Sequence, residues 1–300
     1  MLMNRFNQLV FLLGVATTAT LVVSLPAHGK SAKEVARIAV PTTVRIDNPL
    51  GNDYGGSGVI IARNGNTYTV LTAAHVIQNP NLDYQIYTSK KKSYPVTSIK
   101  NLQATPDAPD LAVITFNSPD EQAIAPLTNS DEASIGAGIY ISGYPISSEV
   151  AGQREYEFTA GQVSSRPDNR PQGYTIRYDA LTRRGMSGGP VFDVDGRVVG
   201  IHGQGDRDAV VKNESASGTG RGTSEIKTGF NAAIPINTFM SIASRNGIST
   251  NGVTVDQTQA KDEVAVQPSR EEVKSWERDF AKEVGLQLIR SLPIPSFFRF

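Results

Sequence analysis

The sequence contains no cysteine in 300 residues. This excludes a disulfide framework, a thiolate nucleophile and any thiolate metal site. Nor does either sign of charge prevail. Lys and Arg number 29, Asp and Glu number 29, and the formal net charge is zero. Lys90, Lys91 and Lys92 form a short basic run, read as a hairpin tip, and no basic block interleaved with aromatics accompanies it. Nucleic-acid binding therefore has no electrostatic footprint in the chain. Histidine is scarce, with only His28, His75 and His202. The spaced acids Asp193 and Asp195 fall in a DVDG stretch that reads as a turn rather than a metal loop, so neither metal nor cofactor is implied. The 39% hydrophobic content suffices for a sizeable core, in one large or two small domains.

The first 29 residues have the pattern of a targeting signal. Arg5 gives a positive start, an apolar run extends from Leu9 to Leu25, and Pro26 is followed by Ala27-His28-Gly29. Cleavage is expected after Gly29, with Ala27 as the second choice, which gives an exported protein (periplasmic or extracellular in a bacterium) that begins at or near Lys30. The alternative is an uncleaved anchor, although the run is close to the lower length limit for a span.

From about Arg37 to Pro235 short strand candidates alternate with Gly, Asn, Pro and Asp. The sequence predicts strands at Val59–Ala62, Tyr68–Leu71, Tyr84–Thr88, Val96–Lys100, Leu111–Phe116, Gly138–Ser142, Arg154–Val163, Tyr174–Tyr178, Pro190–Val194, Arg197–His202 and Gly229–Ile236. Asn64-Gly65-Asn66 and Asp195-Gly196 are hairpin turns. About a dozen evenly spaced strands fit barrels or a sandwich. A break near Pro119 to Glu132 divides the pattern into halves, residues 30–125 and 126–248. A short helix is expected over Asn237 to Arg245, capped by Asn237 and stopped by Gly247. Gln204 to Thr228 reads as a long mobile loop. Residues 249–300 read as a polar linker, Val253 to Gln267, and a helical tail from Ser269. Val273, Trp276, Phe280, Val284 and Leu288 form one apolar stripe on that tail.

Three motifs carry chemistry. TAAH ends at His75, DLAVITF begins at Asp110, and GMSGGPVF contains Ser187. A serine hydroxyl is a weak nucleophile that needs a base, a group to orient that base, and donors for the oxyanion it creates. Ser187 is the candidate nucleophile, His75 the base and Asp110 the orienting carboxylate. The glycines around Ser187 permit a sharp turn, and the N–H groups of Gly185 and Ser187 are the candidate oxyanion donors. Asp107 rivals Asp110, but it stands in a Thr-Pro-Asp-Ala-Pro loop and reads as a turn residue. GMSGG also fits the nucleophile elbow of α/β-hydrolases. That fold places a helix after the serine, whereas Pro190 and a VFDVDGRVVGI hairpin follow here.

Together these motifs resemble those of the trypsin/chymotrypsin-like serine protease superfamily over about Val40 to Ser244. The resemblance implies an all-β protein of two six-stranded antiparallel β-barrels, polypeptide substrates and an acyl-enzyme. The closest resemblance is to the glutamyl endopeptidase branch. There a YD-x-x-T segment precedes the serine loop and a GIH segment follows it, matched here by Tyr178-Asp179, Thr182 and Gly200-Ile201-His202. It implies that Thr182 and His202 bind an acidic side chain before the scissile bond, a role for which hydroxyl and imidazole donors suit a carboxylate. Arg183 and Arg184 are positioned to add positive potential. The residue before the nucleophile is Met186, where trypsin-type zymogens have an acid, so an ion-pair activation switch is not expected. A non-catalytic binding module on the same scaffold is the alternative reading.

Overall fold

The computed structural model describes residues 29–48, 55–146, 154–211, 223–261 and 263–266, with side chains described outside 206–228. The expected signal segment as far as His28 and the tail helix from Ser269 lie outside the described residues. Among the described residues, no helix is long and apolar enough to cross a membrane.

The first barrel comprises β1 (Thr43–Asp47), β2 (Gly55–Asn64), β3 (Thr67–Thr72), β4 (Gln85–Tyr87), β5 (Ser93–Asn101) and β6 (Ala112–Asn117). It closes in the order β1-β2-β3-β6-β5-β4. Alternating residues point inward, as a period of two requires. Val44, Ile46, Ile60, Val70, Ile114 and Phe116 fill the interior, and Tyr68 stacks on Phe116 with ring centroids 5.4 Å apart. Gly65 takes φ 59°, the left-handed conformation that a two-residue hairpin loop between Asn64 and Thr67 demands.

The second barrel follows. Its strands are β7 (Leu127–Thr128), β8 (Gly138–Gly143), β9 (Glu157–Ser165), β10 (Ile176–Tyr178), β11 (Pro190–Asp193), β12 (Val198–Val211), β13 (Thr223–Pro235) and β14 (Val255–Asp256). The order β11-β8-β9-β10-β13-β12 is closed by β11 pairing with β12, and β7 and β14 add in parallel at one side. The chain therefore forms two closed six-stranded antiparallel barrels, the architecture the resemblance implies. Closure leaves neither barrel with a free edge.

The sequence reading differs from the structure in several places. Within Gln204 to Thr228 the described residues form strands rather than a loop: β12 and β13 continue past the barrel, with Arg207 opposite Lys227 and Val211 opposite Thr223. The ladder persists there because a two-stranded ribbon needs only backbone pairing, which polar residues supply as well as apolar ones. The strand expected from Arg154 begins at Glu157, because Arg154 is drawn into contacts between the barrels. Helix α2 covers Ile236–Ala243 and is preceded by extended Pro235, so Asn237 is not its cap. The Asn237 side chain instead bonds Asn129 and accepts from the Ser130 N–H.

Helix α1 (Ala32–Thr42) was not expected at all. Ser31 and Glu34 form a capping box at its start, and Pro41 stands near its end. Val35 and Ala39 pack into the same apolar cluster as Phe192, Val194 and Leu127 of the second barrel. Nor is Val253 to Gln267 a free linker. Thr254 accepts a hydrogen bond from the Leu127 N–H at 2.8 Å, Gly138 N donates to Glu263 O at 3.1 Å, and Val266 N donates to the Tyr140 hydroxyl at 3.1 Å. Arg197, 1% exposed, reaches the segment through Thr258 Oγ1 at 2.8 Å while its other face meets Asp193. Polar sequence misleads here because a strap on a barrel wall is held by backbone bonds and one buried arginine.

Candidate active site

His75 lies in a 3-10 turn, Ala74–Ile77, directly after β3. Asp110 stands just before β6, the neighbour of β3, so adjacent strands deliver both side chains to one end of the first barrel. The His75 N–H donates to Asp110 Oδ1 at 2.9 Å, and His75 Nδ1 is 2.6 Å from Asp110 Oδ2. The imidazole is partly exposed while the carboxylate is buried. Burial works to raise the pKa of Asp110. The hydrogen bond and charge of His75, with a further bond from Tyr174, outweigh it and hold the carboxyl below its ordinary range. Asp107 is not part of this pair. It is exposed, and its carbonyl accepts from Gln172 N at 3.0 Å.

Ser187 occupies the turn between β10 and β11. Ser57 N donates to the Ser187 carbonyl at 2.7 Å. Gly188, with φ 83°, presses against β3: a Cβ there would lie 2.1 Å from Thr72 Oγ1 and 2.2 Å from Ser57 O. The serine turn thus abuts the strand end that leads into His75. The Ser187 hydroxyl donates to Gly203 O at 3.4 Å, and among the described residues no hydrogen bond joins it to His75. Nucleophile–base contacts are often loose before substrate binds.

The turn before Ser187 is fixed peptide by peptide. Ile146 N donates to Arg184 O at 2.8 Å. Because a trans peptide points its C=O and N–H to opposite sides, the Gly185 N–H faces away from Ile146. Among the described residues, none accepts from the N–H of Gly185 or of Ser187. Gly185 has φ 96°, which only glycine adopts readily. Its carbonyl accepts from Ser57 Oγ at 2.9 Å and from Arg154 Nη2 at 3.0 Å.

Arg154 and Ser57 are site residues that sequence reasoning missed. The Arg154 guanidinium donates also to the carbonyls of Ile46, Gly56 and Tyr144, and lies 3.2 Å from Asp47 Oδ1. It fastens the first barrel to the Gly185 turn of the second. Burial lowers its pKa to about 10, with Asp47 pulling the other way, so it stays charged at neutral pH. Met186 is fully buried in the apolar cluster of the second barrel.

Thr182 and His202 are both buried in the second barrel near this turn. The Tyr178 hydroxyl is 2.6 Å from His202 Nδ1. Thr182 Oγ1 donates to Asn231 Oδ1, and Asn231 Nδ2 donates to the carbonyls of Ala180 and Gly229. Asn231 is therefore a further member of the group, invisible in sequence because it comes from the distant strand β13. The Arg183 side chain is paired with Glu157. That pairing corrects the expectation that Arg183 adds positive potential, since the carboxylate offsets its charge. Among the described residues, no group of His, Asp and Glu converges to hold a metal.

Residues 56–201 match the family model of the trypsin-like peptidase domain. The chain is 30% identical over 152 residues to a probable periplasmic serine endoprotease DegP-like of Marinomonas sp. (strain MWYL1), covering 50% of this chain and 29% of that protein. It is 28% identical over 176 residues to a glutamyl endopeptidase of Staphylococcus aureus (strain MW2), covering 54% of this chain and 50% of that protein. The chain thus spans under a third of the first relative and half of the second.

Proposed function

We propose that this chain, which carries a trypsin-like peptidase domain over residues 56–201, is a serine endopeptidase using His75, Asp110 and Ser187. The observation that carries the reading is the 2.6 Å contact between His75 Nδ1 and buried Asp110, at the strand end against which the Ser187 turn is packed. Ser187 Oγ attacks the scissile carbonyl while His75 Nε2 takes its proton. The oxyanion that forms is met by the N–H groups of Gly185 and Ser187. The imidazolium then protonates the leaving amine as the C–N bond breaks. Water, deprotonated by the same imidazole, hydrolyses the acyl-enzyme and returns the proton to Ser187. Asp110 holds the Nδ1–H tautomer and stabilises the imidazolium. No metal or cofactor has a part in this scheme.

The substrate side chain before the scissile bond is proposed to be glutamate, bound by His202 and Thr182. The proposal takes the Tyr178 hydroxyl as the donor to Nδ1, which leaves the His202 proton on Nε2 as a donor for a carboxylate. The single Thr182 proton is donated to Asn231, so binding at Thr182 requires it to turn toward the substrate. Export, proposed from the pattern of Arg5 to Gly29, sets the place of action outside the cytoplasm.

The test is labelling of the folded protein with a serine-directed fluorophosphonate. Ser187 should be modified, His75→Ala should remove the reaction, and hydrolysis should fall as His75 is protonated at acid pH. A folded protein that neither labels nor cuts any member of a peptide library would instead support a binding module.

A further inference from the structure

The Asp110 carboxylate accepts three hydrogen bonds, and His75 supplies two of them. The third is donated by the Tyr174 hydroxyl, 2.6 Å from Oδ2. Both side chains are almost fully buried. Tyr174 follows the Pro171–Gly173 turn of the second barrel, and that turn grips the Asp110 loop of the first. Gln172 N donates to Asp107 O at 3.0 Å, and Asp110 N donates to Gln172 O at 3.1 Å. The second barrel thus delivers a phenol to the carboxylate of the first.

On its other side Tyr174 meets Gly203. A Cβ at that glycine would lie 2.0 Å from the Tyr174 hydroxyl oxygen and 2.6 Å from Cε1. Gly203 is also the residue whose carbonyl accepts from Ser187 Oγ. One phenol therefore stands between the carboxylate behind His75 and the strand that holds the serine hydroxyl.

We propose that Tyr174 is a positioning residue of the triad: its hydroxyl fixes the Asp110 carboxylate toward His75 Nδ1, and residue 203 is glycine because any side chain there would displace that hydroxyl. The inference rests on the endopeptidase reading. Its logic is that of a charge-assisted bond. A hydroxyl donating to Oδ2 withdraws charge from the atom that faces the imidazole. Without it, Oδ2 has only His75 as donor and stabilises the imidazolium more strongly. His75 then takes up its proton at higher pH. The titratable groups facing this unit are few. Asp110 meets His75 and Tyr174, and Tyr174 meets Asp110 and Tyr178. Burial keeps Tyr178 neutral.

The experiment uses the full chain and reads the rate of fluorophosphonate labelling of Ser187 from acid to mildly alkaline pH. Tyr174→Phe removes only the hydroxyl. Its plateau rate should fall about tenfold, and its acid limb should move up by about half a unit to one unit. A merely structural tyrosine would lower the plateau and leave the limb in place, and that result overturns the proposal. A rescue gives a second readout. In Tyr174→Ala combined with Gly203→Ser, the new Cβ starts 2.0 Å from the lost hydroxyl position, so Oγ, one bond further, reaches the same carboxylate. The limb should return toward that of the wild type, and Gly203→Ala in the same background should not restore it. If the wild type itself does not label, the endopeptidase reading falls, an outcome distinct from a labelled wild type with an unmoved Tyr174→Phe limb.

Discussion

Arg154 Nη2 lies 3.0 Å from the carbonyl oxygen of Gly185, so one buried guanidinium holds a peptide of the turn that leads into Ser187. The same nitrogen bonds Gly56 O at 2.7 Å in the first barrel. The cation thereby ties the two barrels beside buried Met186.

The first prediction concerns this clamp. Lysine carries the charge but not the planar fork, so Arg154→Lys should leave several buried carbonyls without donors. Each such loss costs about 1–3 kcal/mol. The variant should melt roughly 5–15 °C lower. Below its melting point, kcat should drop much more than KM changes, because the oxyanion donors act chiefly on the transition state. Thermal unfolding and steady-state kinetics check this, and an unchanged kcat in a folded variant would remove Arg154 from the oxyanion turn's support.

The second prediction concerns the serine turn. Gly188→Ala would place a methyl 2.1 Å from Thr72 Oγ1 and 2.2 Å from Ser57 O, at a φ of 83°. One obstacle is backbone and the other is bonded to it, so the turn must move rather than the neighbours. A displacement of about 1 Å at a nucleophile costs on the order of 10²-fold in rate. Fluorophosphonate labelling should slow by that factor, with far-ultraviolet circular dichroism unchanged. Wild-type labelling would mean that the contact between the turn and β3 is not needed.

The third prediction is a pH dependence of stability. The folded-state pKa of Asp110 is lowered by its bonds to His75 and Tyr174 against the opposing effect of burial. A lowered carboxylate contributes stability that is present above its unfolded value, about 3.9, and is lost as pH falls through the folded value. The melting-temperature difference between wild type and Asp110→Asn should therefore be full near neutrality and shrink below about pH 4. A difference that stays constant through the acid range would show that the carboxylate's bonds do not stabilise the fold.

What could be read from sequence was local, and what could not was brought together by folding. His75, Asp110 and Ser187 each sit in a short motif whose neighbours set the backbone, so residue type and order were enough to single them out as candidates. Asn64-Gly65 announced its hairpin because positive φ has a residue signature. Arg154, Tyr174 and Asn231 carried no such mark. Each reaches its partner across a barrel boundary or from a distant strand, and an arginine before EYE looks like any strand start. Helix α1 was missed although Ser31 and Glu34 form a capping box, because the strand-rich pattern was read from about Arg37, inside the helix. The strap over Val253 to Val266 was read as a linker because backbone pairing with Leu127 and Gly138 leaves no trace in side-chain type.

The last prediction is substrate choice. Cleavage is expected after Glu, less after Asp, with His202 as the principal donor. Gln has the shape of Glu without its charge, so charge-assisted bonds should favour Glu by about 10²-fold at most. The preference is tempered by Thr182, whose proton must leave Asn231 to reach the substrate. His202→Ala should cut activity on Glu substrates far more than on neutral ones, and His75→Ala should abolish both. Binding residues change the ratio between substrates, whereas a catalytic base changes all rates together. Tyr178→Phe should act in the same direction as His202→Ala but more weakly, because it frees Nδ1 to take the proton that Nε2 needs. Matched Glu and Gln peptides, read as kcat/KM, make the comparison. Equal rates on the two, or cleavage chiefly after basic or large apolar residues, would discard the glutamyl assignment and leave the triad reading standing.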